Sequence, residues 1–147
     1  MKLIDLELSD LIAMAAALIS GLSALYARWA WNEARRANEL TLLGHRKAIF
    51  DAFFHLKMHM AQKGRFASLD EVSKFYYPSR DASIYYGGSI AEKISNYYSA
   101  CHKVADLARV QPLEDCEIQE VSECLRKSRD LEPEIEKAIA KILDRTK

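Results

Sequence analysis

The chain has 147 residues, room for one domain, or for a membrane segment and a domain of roughly 110 residues. Its 21 basic side chains balance 21 acidic ones, and no single basic face offers a footing for nucleic acid. The three cysteines, Cys101, Cys116 and Cys124, contain no CxxC pair, which leaves neither a disulfide framework nor a zinc knuckle and reads as reduced thiols.

The charge is laid out unevenly. Lys2 stands against Asp5, Glu7 and Asp10, the stretch from Arg28 to Arg80 is positive, and the segment from Leu113 onward is rich in acids. Between Asp10 and Arg28 the run LIAMAAALISGLSALYA carries no charge. As a helix this run covers about 25 Å, against about 30 Å of bilayer hydrocarbon. Arg28 reaching out to the headgroups, and Leu6 and Leu8 at the other end, make up the difference. Tyr26, Trp29 and Trp31 then fall, with Arg28, where an interfacial aromatic belt belongs.

Residues 11–31 are therefore predicted to be a transmembrane helix, 1–10 a short extracytoplasmic tail and 32–147 a cytoplasmic helical domain. The orientation follows from Arg28, Arg35, Arg36, Arg46 and Lys47 crowding the C-terminal flank, the side that stays inside. A cleavable signal peptide has the reverse charge order. A buried core helix of a soluble protein is the competing reading, because the run holds six alanines. Two stripes of small residues, Ala13, Ala17 and Gly21, and Ala16, Ser20 and Ala24, predict a face on which another helix packs closely in lipid. Arg35, Arg36, Arg46 and Lys47 set topology and are placed for contact with anionic headgroups.

Beyond Trp31 the pattern predicts one long helix to Lys63, with Leu42, Ile49, Phe53, Leu56 and Met60 on one face and Gly64 as its stop. It is expected to continue from the span as a stalk, Gly44 weakening it by about 1 kcal/mol. Ser68 and Glu71 form a capping-box pattern opening a short helix that Pro78 closes, and Ser89 and Glu92 repeat it. Ser79 to Tyr86 reads as a helical turn, broken by Gly87 and Gly88. The next helix carries Ile90, Ile94, Tyr97, Cys101, Val104 and Ala108 inward until Gln111 and Pro112. A further helix buries Ile118, Val121 and Leu125. Pro133 opens a last one, after Asp130 or Glu132 as cap, burying Ile135, Ile139 and Ile142 or Leu143. The fold class is all-α: an N-terminal transmembrane helix continuing into a small antiparallel helical bundle.

The order of the span, ALYARWAWNEARRANEL, HRKAIFDAFF and YYGGSIAEKI resembles a group of uncharacterised bacterial single-pass membrane proteins, with a basic juxtamembrane helix and a Phe-Gly-x-x-Ile helix start. Tyr86-Gly87-Gly88-Ser89-Ile90 stands at that start here. The resemblance runs from Leu11 to Tyr98 and implies the topology and a bacterial inner-membrane location; it implies no activity.

No catalytic frame is recognisable, and neither an enzyme nor a cofactor is expected. His55 and His59 have the four-residue spacing of a metal pair, but the glutamate of a zinc protease is replaced by Leu56, and Lys57 repels a cation. They read as surface or partly buried histidines, with a weak metal or pH-sensing site as the minor alternative; His45 is expected on another face. Cys101 and His102 point about 100° apart and do not exchange a proton. The pairs Tyr76-Tyr77, Tyr85-Tyr86 and Tyr97-Tyr98 read as bundle filling before ligand groove. The expected function is a membrane-anchored interaction module that binds a protein partner or itself. The alternative is a membrane-perturbing effector of a phage-defence or toxin system acting through oligomerised spans.

Overall fold

The computed structural model describes residues 2–109 and 114–144, and the side chains of 9–109, 114–142 and 144. Over these residues the chain is all-α, with no strand. The elements are α1 (Lys2–Lys63), a 3-10 turn (Gly64–Phe66), α2 (Leu69–Ser73), α3 (Tyr76–Tyr85), α4 (Gly88–Leu107) and α5 (Asp115–Asp144). The chain divides into two compact units, Met1–Thr41 and Leu42–Lys147.

The helical assignment of α1 is unbroken through Gly21 and Gly44. It begins at Lys2, so the stretch expected as a tail is itself helical. It stops where the sequence placed the stop. Gly64 has φ +53°, the one positive φ among the described residues, and a left-handed residue after the last turn satisfies end carbonyls at no Cβ penalty.

In the second unit α1 buries the expected face. Ile49, Phe53, Leu56 and Met60 are all buried, while Leu42 is half-buried. Phe53 is the centre of this face: its ring lies 5.0 Å from that of Tyr97 in α4 and 6.4 Å from Phe75 ahead of α3. Arg46 meets Tyr85 and Tyr86 while Phe53 meets Phe75, so the chain from Phe75 through α3 runs antiparallel to α1. The pairs Lys93–Glu134, Tyr97–Glu132 and Lys103–Glu120 descend one helix as they climb the other, which makes α4 and α5 antiparallel as well. The antiparallel bundle expected from periodicity is the one observed.

Several local expectations fail. Ser68 occupies the N-cap of α2 with extended backbone, yet its hydroxyl makes no cap bond. Its own N–H donates to His59, and Glu71 pairs with Lys74, so the reciprocal box never forms. At the second box the N-cap is Gly87, which leaves Ser89 inside the first turn. Pro78 does not close a helix but sits in the first turn of α3, where the missing N–H has no intrahelical partner to lose. Ile118 is 44% exposed; with Glu120 opposite Lys103, it lies beside the last turn of α4, with little to cover it. The expected stop at Gln111 and Pro112, and Leu143 as a core residue, lie outside the described residues.

The largest departure is α5, one helix and not two, with Pro133 in its interior. Val121, Ser128, Ile135 and Ile139 are buried and recur at spacings of seven, seven and four, a single stripe that crosses the proline without changing phase. Pro133 itself is on the exposed side. Burial of the stripe against α4 outweighs the local penalty of about 3 kcal/mol for a proline in a helix interior.

Two outcomes test this core. Pro133→Ala is expected to raise stability to urea by about 1–3 kcal/mol, because it restores the bond to the Arg129 carbonyl; a helix starting at Pro133 would gain nothing. Phe53→Ala is expected to lower stability by about 3–5 kcal/mol in the same measurement.

Candidate functional site

The first unit holds the chain's unusual surface. Leu11, Met14, Leu18, Ile19, Leu22 and Leu25 are each more than 60% exposed. At about 100° per residue, Leu11, Leu18, Leu22 and Leu25 fall within about 60° of one another. Ala13, Ala16, Ala17, Ser20 and Ala24 fall within about 100° of one another on another side of the helix, with Gly21 between them and the leucines, all exposed. The two expected small-residue stripes are thus one broad face, bordered by the leucines on one side and by Ile12 and Ile19 on the other. A Cβ built on Gly21 meets nothing within 4 Å, so the chain's own packing does not require glycine there.

The hydroxyl of Ser23 donates to the Ile19 carbonyl at 2.7 Å, the way a lone hydroxyl is satisfied on an apolar helix. Past the apolar run come the rings. Tyr26 and Trp29 lie 6.1 Å apart, and Trp31, 73% exposed, projects from another side of the helix. Arg28 is exposed between them. Among the described residues, α1 is the one helix long and apolar enough to cross a membrane, and the apolar window is wholly unburied.

The basic residues that follow are not equivalent. Arg35 pairs with Glu39 at 3.1 Å and Lys47 with Asp51 at 2.7 Å, both exposed i,i+4 pairs worth a few tenths of a kcal/mol. Arg36 is exposed. Arg46 is structural: its Nε donates to the Tyr85 carbonyl at 2.8 Å, and the Tyr86 hydroxyl donates back to the Arg46 carbonyl at 2.7 Å. The neighbouring His45 stacks on Tyr85 with centroids 4.7 Å apart and planes 14° from parallel. Burial pushes the Tyr86 phenol up to about 12. Sequence reading grouped Arg46 with the headgroup contacts; the acceptor that claims it lies 39 residues away, beyond the reach of local pattern.

Several chemistry-bearing side chains of the second unit are committed to the fold. Cys101 is fully buried, and burial pushes its thiol up to about 12, which keeps it protonated and poorly nucleophilic at neutral pH. His102 turns to the Tyr98 ring instead, at 5.6 Å. Of the tyrosines, Tyr86 and Tyr97 are buried while Tyr77 is 75% exposed. His55 and His59 share a cleft of about 590 Å³ with Glu71, Lys74 and Phe75. Among the described residues no three His, Cys, Asp or Glu side chains are grouped to hold a metal ion.

One polar network was invisible beforehand. The Tyr97 hydroxyl donates to Glu132 at 3.2 Å, and Lys57 donates to Glu136, one turn further along α5, at 2.5 Å. These contacts tie α1, α4 and α5 together. Burial raises the Glu132 carboxyl above its ordinary 4.5, opposed by the Tyr97 hydrogen bond and by Lys57. Lys57 is raised by its hydrogen bond to Glu136. The i,i+4 glutamates on the face of α5 are a weak sequence signal, and nothing local names their partners.

Glu132 gives a pH prediction. Its folded value exceeds its unfolded one, so over the window between them the folded protein keeps a proton that the unfolded chain releases, and stability falls as pH rises through and above about 4.5. Urea midpoints measured across that window are expected to slope less for Glu132→Gln than for the parent chain.

No protein-family model, curated protein or solved structure matches the chain, and its functional reading therefore rests on these geometries.

Proposed function

We propose that the chain is a membrane-anchored helical interaction module: residues 11–31 span a bacterial inner membrane with the N-terminus outside, and the bundle at the inner face binds a protein partner or a second copy. The observation that carries this reading is the bare run from Leu11 to Leu25, whose large apolar side chains have no cover among the described residues. A core helix of a soluble domain hides such a run; lipid covers it instead. The ring of Tyr26, Trp29 and Trp31, the internally satisfied Ser23 and the cations after Ala27 support the same placement. Tyr77 and Ile84 of α3, 75% and 73% exposed, give the bundle apolar surface for a partner.

Fractionation and thiol labelling test it. The chain is expected to stay in the membrane pellet at alkaline pH and to leave it only with detergent. Ala17→Arg puts a guanidinium near the middle of the run, at about 2.5–3.5 kcal/mol against insertion, and is expected to shift protein out of the membrane. Cys116 is exposed while Cys101 is buried, so a membrane-impermeant maleimide is expected to label Cys116 only after the membrane is opened. A monomer soluble without detergent would sink the proposal. Depolarisation of cells on expression, abolished by Gly21→Leu, would replace it with a membrane-perturbing role.

A further inference from the structure

We infer that His59 is a proton-operated latch on the turn that joins α1 to α2. Its Nε2 accepts the Ser68 N–H at 3.0 Å, across nine residues of chain. Ser68 is the N-cap of α2, and its carbonyl accepts from Val72 at 3.1 Å, the first bond of that short helix. With no bond from the Ser68 hydroxyl to cap α2, the imidazole of α1 fixes the residue from which α2 starts.

An imidazole nitrogen accepts a hydrogen bond only while it carries no proton. The contact therefore fixes the tautomer with hydrogen on Nδ1, and an imidazolium, which has two donors and no acceptor, cannot make it. Adding the second proton sets N–H against N–H and opens the latch. The charged groups around His59 supply the other position. His55 lies one turn earlier on α1, and Glu71 and Lys74 of α2 share the cleft. The Glu71 carboxylate is held below its ordinary value mainly by Lys74, and both histidines act on it in the same direction.

Asp70 and Arg109 line a separate groove with Ser68 and do not line the cleft that holds the imidazole. Glu71 is thus the acceptor toward which a charged His59 turns. Protonation moves His59 from backbone to carboxylate and frees the turn Gly64–Phe66 and the start of α2 from α1. This inference rests on the second unit alone and is independent of the membrane reading.

Amide hydrogen exchange on the full chain in micelles tests it, followed from about pH 8 to about pH 5 and corrected for the intrinsic pH dependence of exchange. The Ser68 amide is expected to lose roughly three- to tenfold of its protection on acidification, the range for one solvent-accessible hydrogen bond. His59→Gln, whose side-chain oxygen accepts but never protonates, is expected to stay flat. Ser68→Pro removes the donor at a φ of −76° that proline adopts, and is expected to abolish the pH dependence of Val72 protection. Protection of Ser68 that ignores pH in the parent chain, an equal fall in His59→Gln, or a surviving pH dependence at Val72 in Ser68→Pro would each overturn the latch.

Discussion

Burying a phenol is what the second unit is built around. Tyr97 is fully enclosed in α4, its ring against Phe53 of α1 and its hydroxyl donated to Glu132 of α5. A desolvated hydroxyl left without an acceptor forfeits roughly 1–3 kcal/mol, so the ring cannot be buried without α5 in register. The ring in turn supplies the apolar wall on which Phe53 closes. Three helices distant in sequence are thereby held to one geometry, and no buried side-chain nitrogen or oxygen among the described residues lacks a partner. The charged pairs on the rim, Lys57–Glu136 and Lys93–Glu134, are half exposed and refine this arrangement without creating it.

The first unit obeys the opposite rule. Its apolar side chains point outward on every side, and the hydroxyls of Ser23 and Thr41 turn back onto their own helix. In water such a surface aggregates, and in hydrocarbon it is at rest, because a helix already pairs its backbone polar groups internally. The small side chains gathered on one face leave room for another backbone to approach closely. Read as a span, this segment needs no partner in the bundle for its stability.

Much of this was legible from periodicity. The faces of α1 and α4 were read almost residue for residue, since long helices repeat their pattern many times. Gly64 was read as a stop because it alone combines a basic last turn with a residue that accepts positive φ. What escaped were places where a local signal competes with a distant one. The capping boxes at Ser68 and Ser89 have the right residues, yet His59 and Gly87 took their roles. Pro133 looks like a beginning in any short window, and only the stripe from Val121 to Ile139 shows that burial overrides it. Arg46, Glu132 and Lys57 were readable as charges, but their partners sit 35 or more residues away, and one sequence carries no record of such pairings.

The clasp between Arg46 and the end of α3 has a mechanical side. The Arg46 guanidinium grips the Tyr85 carbonyl, and the phenol of the next residue, Tyr86, grips the carbonyl of Arg46. The two bonds point in opposite senses across one seam, so tension drawn along this stretch of α1 loads both together in shear, the direction in which paired hydrogen bonds resist as a set. Backbone acceptors persist through most side-chain substitutions. The seam therefore tolerates sequence drift around it, and it stands near the start of the second unit.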